Sequence, residues 1–268
     1  MKILIIGDIV GEPGRQAVKE LVPRIRQREN IDMVIANGEN AAGGSGLTPK
    51  IFDALINMGV DVVTSGDHVF KKKDILEIID FENRLLRPAN FPDGAPGHGY
   101  TIIARPDGMR VGVINLAGRV FMDPLDCPFR KADEIVKKII PETNIILVDI
   151  HAEATSEKVA LGWYLNGRVS AVVGTHTHVQ TADERILPQK DHTAYISDIG
   201  MSGPIDSVIG RKVEQILIRF IERTPTRFEV AEENIQLQGV IIDIEEASGK
   251  AKSITRVQEK LSECPTKF

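Results

Sequence analysis

The sequence predicts an α/β fold of stacked layers, and three observations predict it. Short apolar runs alternate with longer segments of helical period, two strand-like pieces meet at a turn in mid-chain, and the last third alternates again in the manner of strands.

The apolar runs place strands at about residues 2 to 7, 32 to 36, 60 to 64, 145 to 150 and 169 to 173. Between them, Gly14 to Arg28 sets Val18, Leu21, Val22 and Ile25 on one face, and Thr48 to Met58 opens on Thr48-Pro49, a helix start signal. Both read as amphipathic crossover helices. Lys131 to Ile140 and Ser156 to Leu165 carry the helical period, as does Ser207 to Glu222, whose stripe of Val208, Val213, Ile216, Leu217 and Phe220 reads as a packing surface.

From Leu85 to Asn115 the chain changes to turns (Arg87-Pro88, Phe91-Pro92, Ala95-Pro96-Gly97). Two strand-like pieces follow, Tyr100 to Ala104 and Arg110 to Ile114, joined hairpin-fashion through Asp107-Gly108. From Phe228 to about Val257, the alternation around Val240 to Ile244 and the Ser248-Gly249 turn are expected to build a second sheet packed on the first. No internal repeat or low-complexity stretch is visible.

Composition narrows the function classes. The 268 residues are 42% hydrophobic and 26% charged with a net charge of -5, values that mark neither a disordered, a fibrous nor a membrane-spanning chain. One domain over residues 1–268 is expected. Apart from Lys71-Lys72-Lys73 the basic residues are scattered among acids, so no face for polymeric nucleic acid is expected. Cys127 and Cys264 lie far apart, the second in a polar tail where a bridge would anchor little, which fits a reducing cytoplasm. The run Ile3-Leu4-Ile5-Ile6 is too short for a signal-peptide core or a bilayer span, so neither export nor membrane attachment is expected.

The chemistry gathers at the ends of the runs. Asp8 follows the first, Glu39-Asn40 the second, Asp67-His68 the third, His151 the fourth and His176-Thr177-His178 the fifth. Ligands of α/β sheets bind outside the carboxyl ends of the strands, so residues remote in sequence can converge there. Taken singly, Asp8, Asn40 and Asp67 would each be ordinary capping or turn residues, and His151 an ordinary partly buried histidine. Five such ends in register point instead to a common centre. Residues two apart in extended chain face the same side, so His176 and His178 can address one metal pair. Gly38, Gly66 and Gly174 sit beside these positions, where the chain must turn or approach without a Cβ clash.

Carboxylate and imidazole donors without cysteine suit two divalent or mixed-valence ions, with manganese or iron favoured over zinc and a structural zinc site disfavoured. Such a pair, ~3.5 to 4 Å apart, can share a bridging carboxylate and a hydroxide that attacks phosphorus in line. His98 and His192 follow no strand of the parallel core and are left outside the site. Asp198 and Met201 read as parts of a loop held by a carboxylate cap, and Arg119 and Asn90 are not assigned to substrate.

The blocks Gly7-Asp8-Ile9-Val10-Gly11, Asn37-Gly38-Glu39-Asn40-Ala41, Ser65-Gly66-Asp67-His68 and Gly174-Thr175-His176-Thr177-His178-Val179-Gln180-Thr181-Ala182-Asp183 resemble those of the calcineurin-like metallophosphoesterases. More narrowly they resemble the bacterial YmdB-type branch, a likeness that runs to roughly residue 250 and is most specific in the last histidine block with Ser197-Asp198-Ile199-Gly200-Met201-Ser202-Gly203. The resemblance implies a four-layer α/β/β/α sandwich, a binuclear site, and cleavage of phosphodiesters including 2',3'-cyclic and 3',5'-cyclic nucleotides. It implies that Asp8, Glu39, Asn40 and His178 hold one metal, that Asp67, His151 and His176 hold the other, and that Glu39 bridges. His68 is then the catalytic group that stabilises the transition state or protonates the departing oxygen. A small phosphodiester is the expected partner, and a homo-oligomer is left open.

Two positions depart from the resemblance. The wider superfamily usually shows Asp-x-His at the first motif, but position 10 is Val10, and Asn40 fills the role of the missing histidine. Where relatives commonly show asparagine, this chain has Asp67. The enzymatic alternative is a broader phosphomonoesterase or phosphodiesterase on the same site. The alternative from another class is a non-catalytic nucleotide-binding regulator, suggested by Gly7, Gly11 and Gly14, whose spacing departs from the dinucleotide fingerprint.

Overall fold

A computed structural model describes residues 1–188 and 192–261. Its elements run β1 (Lys2–Ile6), β2 (Asp8–Ile9), α1 (Gly11–Glu29), β3 (Met33–Asn37), α2 (Pro49–Asn57), β4 (Val62–Thr64), β5 (Tyr100–Ala104), β6 (Arg110–Ala117), α3 (Pro128–Ile139), β7 (Ile146–His151) and α4 (Thr155–Leu165). They continue with β8 (Ala171–Thr175), β9 (Arg185–Ile186), β10 (Ala194–Ile196), β11 (Met201–Pro204), α5 (Val213–Glu222), β12 (Ile235–Ile244) and β13 (Ala251–Lys260). Among the described residues no helix is long and apolar enough to cross a membrane. Cys264 lies outside the described residues.

The strands form two sheets. In the first, β1 pairs in parallel with β3, and β3 with β4, while β12 runs antiparallel to β1 and carries β13 along its other edge. Short β11 also pairs with β12, and β2 lies parallel to β11. The second sheet has the order β5-β6-β7-β8-β10-β9, parallel from β6 through β10 and antiparallel at both ends.

Alternation along each strand sorts the apolar residues into layers, because successive side chains point to opposite faces. Ile3 and Ile5 of β1 and Met33 and Ile35 of β3 face Val111, Val113, Leu147 and Val173 of the second sheet. Leu4, Ile6 and Val34 face the other way, onto Val18, Leu21 and Val22 of α1 and Phe52 and Leu55 of α2. On the far side, Ile114, Ile146, Val148 and Val172 pack on Ile135 and Ile139 of α3 and Leu161 and Leu165 of α4. The result is the four-layer α/β/β/α sandwich. As expected at its start, α2 is capped by Thr48, whose hydroxyl accepts from the Ile51 amide, with Pro49 in the first turn.

Two expectations are corrected. The last third does not make a second sheet: β12 and β13 form a hairpin that joins the first, with Ile5 opposite Val240. Alternation signals a strand but not the sheet it enters, and the partner sheet comes instead from β5 to β10. The stripe of Ser207 to Glu222 is also not a packing surface. The helix begins only at Val213, Ile216 is its buried residue, and Leu217, Ile218, Phe220 and Ile221 are exposed. Periodicity shows that a helix has an apolar face, not that anything covers it.

Candidate metal centre

The ligand-bearing ends belong to both sheets. Asp8, Glu39-Asn40 and Asp67-His68 follow strands of the first sheet, and His151 and His176 to His178 come from β7 and the turn after β8 in the second. The centre therefore lies across the seam, where the carboxyl ends of two facing sheets meet. This differs from convergence within a single sheet.

All eight expected residues are brought together. Glu39, Asp67, His151 and His176 each offer one donor atom, and these four atoms lie within 4.8 Å of one another. His151 Nε2 stands 3.2 Å from Glu39 Oε2 and 3.1 Å from Asp67 Oδ1, with His176 Nδ1 at 2.9 Å. Asp8, Asn40 and His178 gather on the other side of Glu39: His178 Nε2 is 3.8 Å from Asp8 Oδ1 and 3.2 Å from Asn40 Nδ2, which donates to Glu39 Oε1 at 2.9 Å. His68 lies alongside, its Nδ1 2.9 Å from Asn40 Oδ1 and its amide 3.3 Å from Glu39 Oε2. His98 is elsewhere, bonded to the Asp80 carbonyl.

Each of the three histidines spends one ring nitrogen on the protein and turns the other inward. His151 Nδ1 meets Thr175 Oγ1 at 3.0 Å, and Thr175 in turn donates to Asp149 Oδ1 at 2.8 Å, so the hydroxyl accepts from an Nδ1–H and Nε2 is the nitrogen turned to the centre. His176 Nε2 faces Glu153 Oε2 at 3.3 Å, freeing Nδ1, and His178 Nδ1 donates to the Ile209 carbonyl at 3.1 Å, freeing Nε2. Metal-binding imidazoles are held in this way, by an outer acceptor that fixes tautomer and ring orientation.

Electrostatics agree with the donor set. Burial, then the charge of His151, brings His176 down to about 4, and burial likewise lowers His178, so both imidazoles are neutral near pH 7. Burial pushes Asp67 up, but the His151 hydrogen bond and then the charge of His151 outweigh it and hold Asp67 well below the carboxylate range. Buried Asp8 has an oxygen, Oδ1, with no hydrogen-bond partner among the described residues. A buried carboxylate oxygen without a partner is costly, and a cation is the partner this surround lacks. The residues thus fit a cation site.

The glycines act by close approach. A Cβ on Gly66 would stand 2.2 Å from His151 Cδ2 and 2.3 Å from Glu39 Oε2, and one on Gly174 would stand 1.9 Å from the Ser197 carbonyl. Neither has a left-handed backbone; His176 and His178 do, at φ 94° and 64°. Between those two, Thr177 is gripped by Asp198, whose Oδ2 accepts from the Thr177 amide at 3.1 Å, its hydroxyl at 2.6 Å and the buried Lys158 ammonium at 2.9 Å. Asp198 is thus the carboxylate cap that the sequence suggests. Gly7 and Gly14 give no phosphate loop, because their missing Cβ atoms admit the carbonyls of Gly200 and Ser202.

Sequence reasoning missed Asp149, Glu153 and Thr175. Asp149 also accepts from Thr64 Oγ1 at 2.5 Å, so a β7 carboxylate ties the ends of β4 and β8 across the seam. A polar residue inside an apolar strand, two before His151, was the available signal.

The YmdB-like protein family model matches residues 4–257. The chain is 53% identical over 257 residues, 96% of each chain, to a 2',3'-cyclic-nucleotide 2'-phosphodiesterase of Bacillus subtilis. Among solved structures it resembles a hypothetical protein from Thermus thermophilus (TM-score 0.91, 41% identity, covering 98% of this chain and 100% of that one). It also resembles a novel phosphatase from Mycoplasma pneumoniae (TM-score 0.90, 32% identity, 97% and 93% covered).

Proposed function

Since this chain belongs to the YmdB-like protein family, we propose that it is a metal-dependent phosphodiesterase that hydrolyses 2',3'-cyclic nucleotides, with 3',5'-cyclic nucleotides as a second substrate class, and that residues 1–268 act as one domain in the cytoplasm. The observation that carries the reading is the common arrangement of His151, His176 and His178, each with one nitrogen engaged outside and one facing Glu39, Asp67 or Asp8.

Asp8, Glu39, Asn40 and His178 would hold one ion and Asp67, His151 and His176 the other, with Glu39 available to both. Carboxylate, amide and imidazole donors without thiolate favour manganese or iron. Two such ions, when bound, would activate water as the nucleophile and supply positive charge to offset that growing on the phosphoryl oxygens.

Asn40 has its amide nitrogen toward Glu39 and His178 and its oxygen toward His68. Ligation through Oδ1 needs that amide turned by half a rotation, after which Nδ2 donates to His68 Nδ1. His68 then keeps its ring N–H at Nε2, 3.7 Å from Asp67 Oδ2, from where it can donate a hydrogen bond to the departing ribose oxygen and offset the charge growing there.

Rates on 2',3'-cyclic AMP and on p-nitrophenyl phosphate, measured with manganese, test the reading. The cyclic diester should be preferred. A preference for the monoester would favour a general phosphatase, and failure on every cyclic nucleotide would refute the proposal.

A further inference from the structure

Outside the metal centre, the loop after β6 is tied down at several points. Asn90, fully buried, clamps both of its feet: its Oδ1 accepts from the Ala117 amide at 2.9 Å, and its Nδ2 donates to the carbonyls of Ala117 at 2.8 Å and Asp126 at 2.9 Å. Glu157 of α4 takes the amides of Arg119 and Val120 on Oε2 at 3.1 and 3.2 Å. Gly118 donates its amide to the carbonyl of His151 at 2.9 Å, so the loop is tied to a residue of the centre itself.

What this apparatus holds out is a bare aromatic ring. Phe121 is 89% exposed and sits in the left-handed region at φ 62°. A single exposed apolar residue needs no explanation, but a bulky one kept in a disfavoured backbone conformation by a braced loop does. Ala117 is the register partner of His151, and four residues of chain span at most about 14 Å. Phe121 is therefore no more than about 14 Å of chain from the register partner of His151, a span of the order of one nucleoside and an aromatic side chain.

We propose that Phe121 is the stacking platform for the base of the nucleotide whose phosphodiester is held at the Glu39–His151 centre. This rests on the phosphodiesterase reading and adds the substrate's second point of contact. Stacking tolerates any base because each has a π-face, so the platform selects nucleosides over other cyclic phosphates without fixing the base, and favours purines by their larger face.

The test compares 2',3'-cyclic AMP with glycerol 1,2-cyclic phosphate, which has the same five-membered phosphodiester and no base, in the manganese-loaded full chain. Phe121→Ala should raise KM for cyclic AMP by about fivefold to about a hundredfold, with kcat changed by less than about twofold. Its kcat/KM for the glycerol ester should stay at the wild-type value, and Phe121→Trp should restore KM. An unchanged KM, an equal loss on both esters, or a changed association state without a change in KM would overturn the platform while leaving the phosphodiesterase reading intact. If the wild type hydrolyses neither ester, both fall.

Discussion

Glu39 and His151 come from different sheets, and their Oε2 and Nε2 atoms lie 3.2 Å apart across the seam. Neither sheet alone carries a complete set of donors, so the centre exists only when the two sheets are packed. Stability and metal binding are linked on that account, since whatever binds only the folded chain stabilises it.

Gly66 is where that linkage is most exposed to a single methyl group. Gly66→Ala would place a Cβ within 2.3 Å of both His151 and Glu39. Both side chains are tied in place, His151 by Thr175 and the Glu39 carboxylate by the Asn40 side-chain amide and the His68 backbone amide. The variant should lose metal affinity by about tenfold or more, measured by calorimetric titration with manganese. Wild-type affinity would show that the site tolerates the displacement.

His68 should separate chemistry from metal binding. His68→Ala should lower kcat on 2',3'-cyclic AMP by roughly 10²- to 10⁴-fold, with metal content unchanged by elemental analysis. Parallel loss of metal would make His68 a structural support.

Asp67 adds a negative charge at a position where the family resemblance leads one to expect asparagine. One unit charge at ~4 Å is worth on the order of 4 kcal/mol at an effective dielectric of 20, before screening by bound ions. Asp67→Asn should bind metal more weakly but lower KM for the anionic substrate. Equal metal content and equal KM in the two proteins would contradict this.

The metal-free protein should lose stability as pH rises. Burial pushes the His151 imidazolium down, but Glu39, Asp67 and Asp8 together raise it well above the ordinary histidine range. A folded value above the unfolded one gives stability that is fully present below about pH 6.5 and fades as pH climbs through the raised value. Ions bound to the same carboxylates would remove that dependence. Melting temperatures between about pH 6 and 9 should therefore fall more steeply for chelator-stripped than for manganese-loaded protein, and parallel curves would count against the cluster.

Much of this was legible in the sequence because each site residue ends an apolar run, and such runs mark buried strands whose carboxyl ends converge. Thr48-Pro49 and Asp107-Gly108 marked a helix start and a hairpin turn for equally local reasons. What failed depended on packing between elements. Nothing local tells that β12 enters the first sheet beside β1, or that Leu217 and Phe220 of α5 stay uncovered. Asp149 and Glu153 escaped notice because their work, orienting His151 through Thr175 and facing His176, is defined only once loops from several elements meet.

Manganese titration of the chelator-stripped protein, with bound ions counted while hydrolysis of 2',3'-cyclic AMP is followed, tests the central claim most directly. Activity should be absent in the stripped protein and should rise to its plateau as two ions bind per chain. Undiminished hydrolysis without metal, or none with two ions bound, would contradict the account.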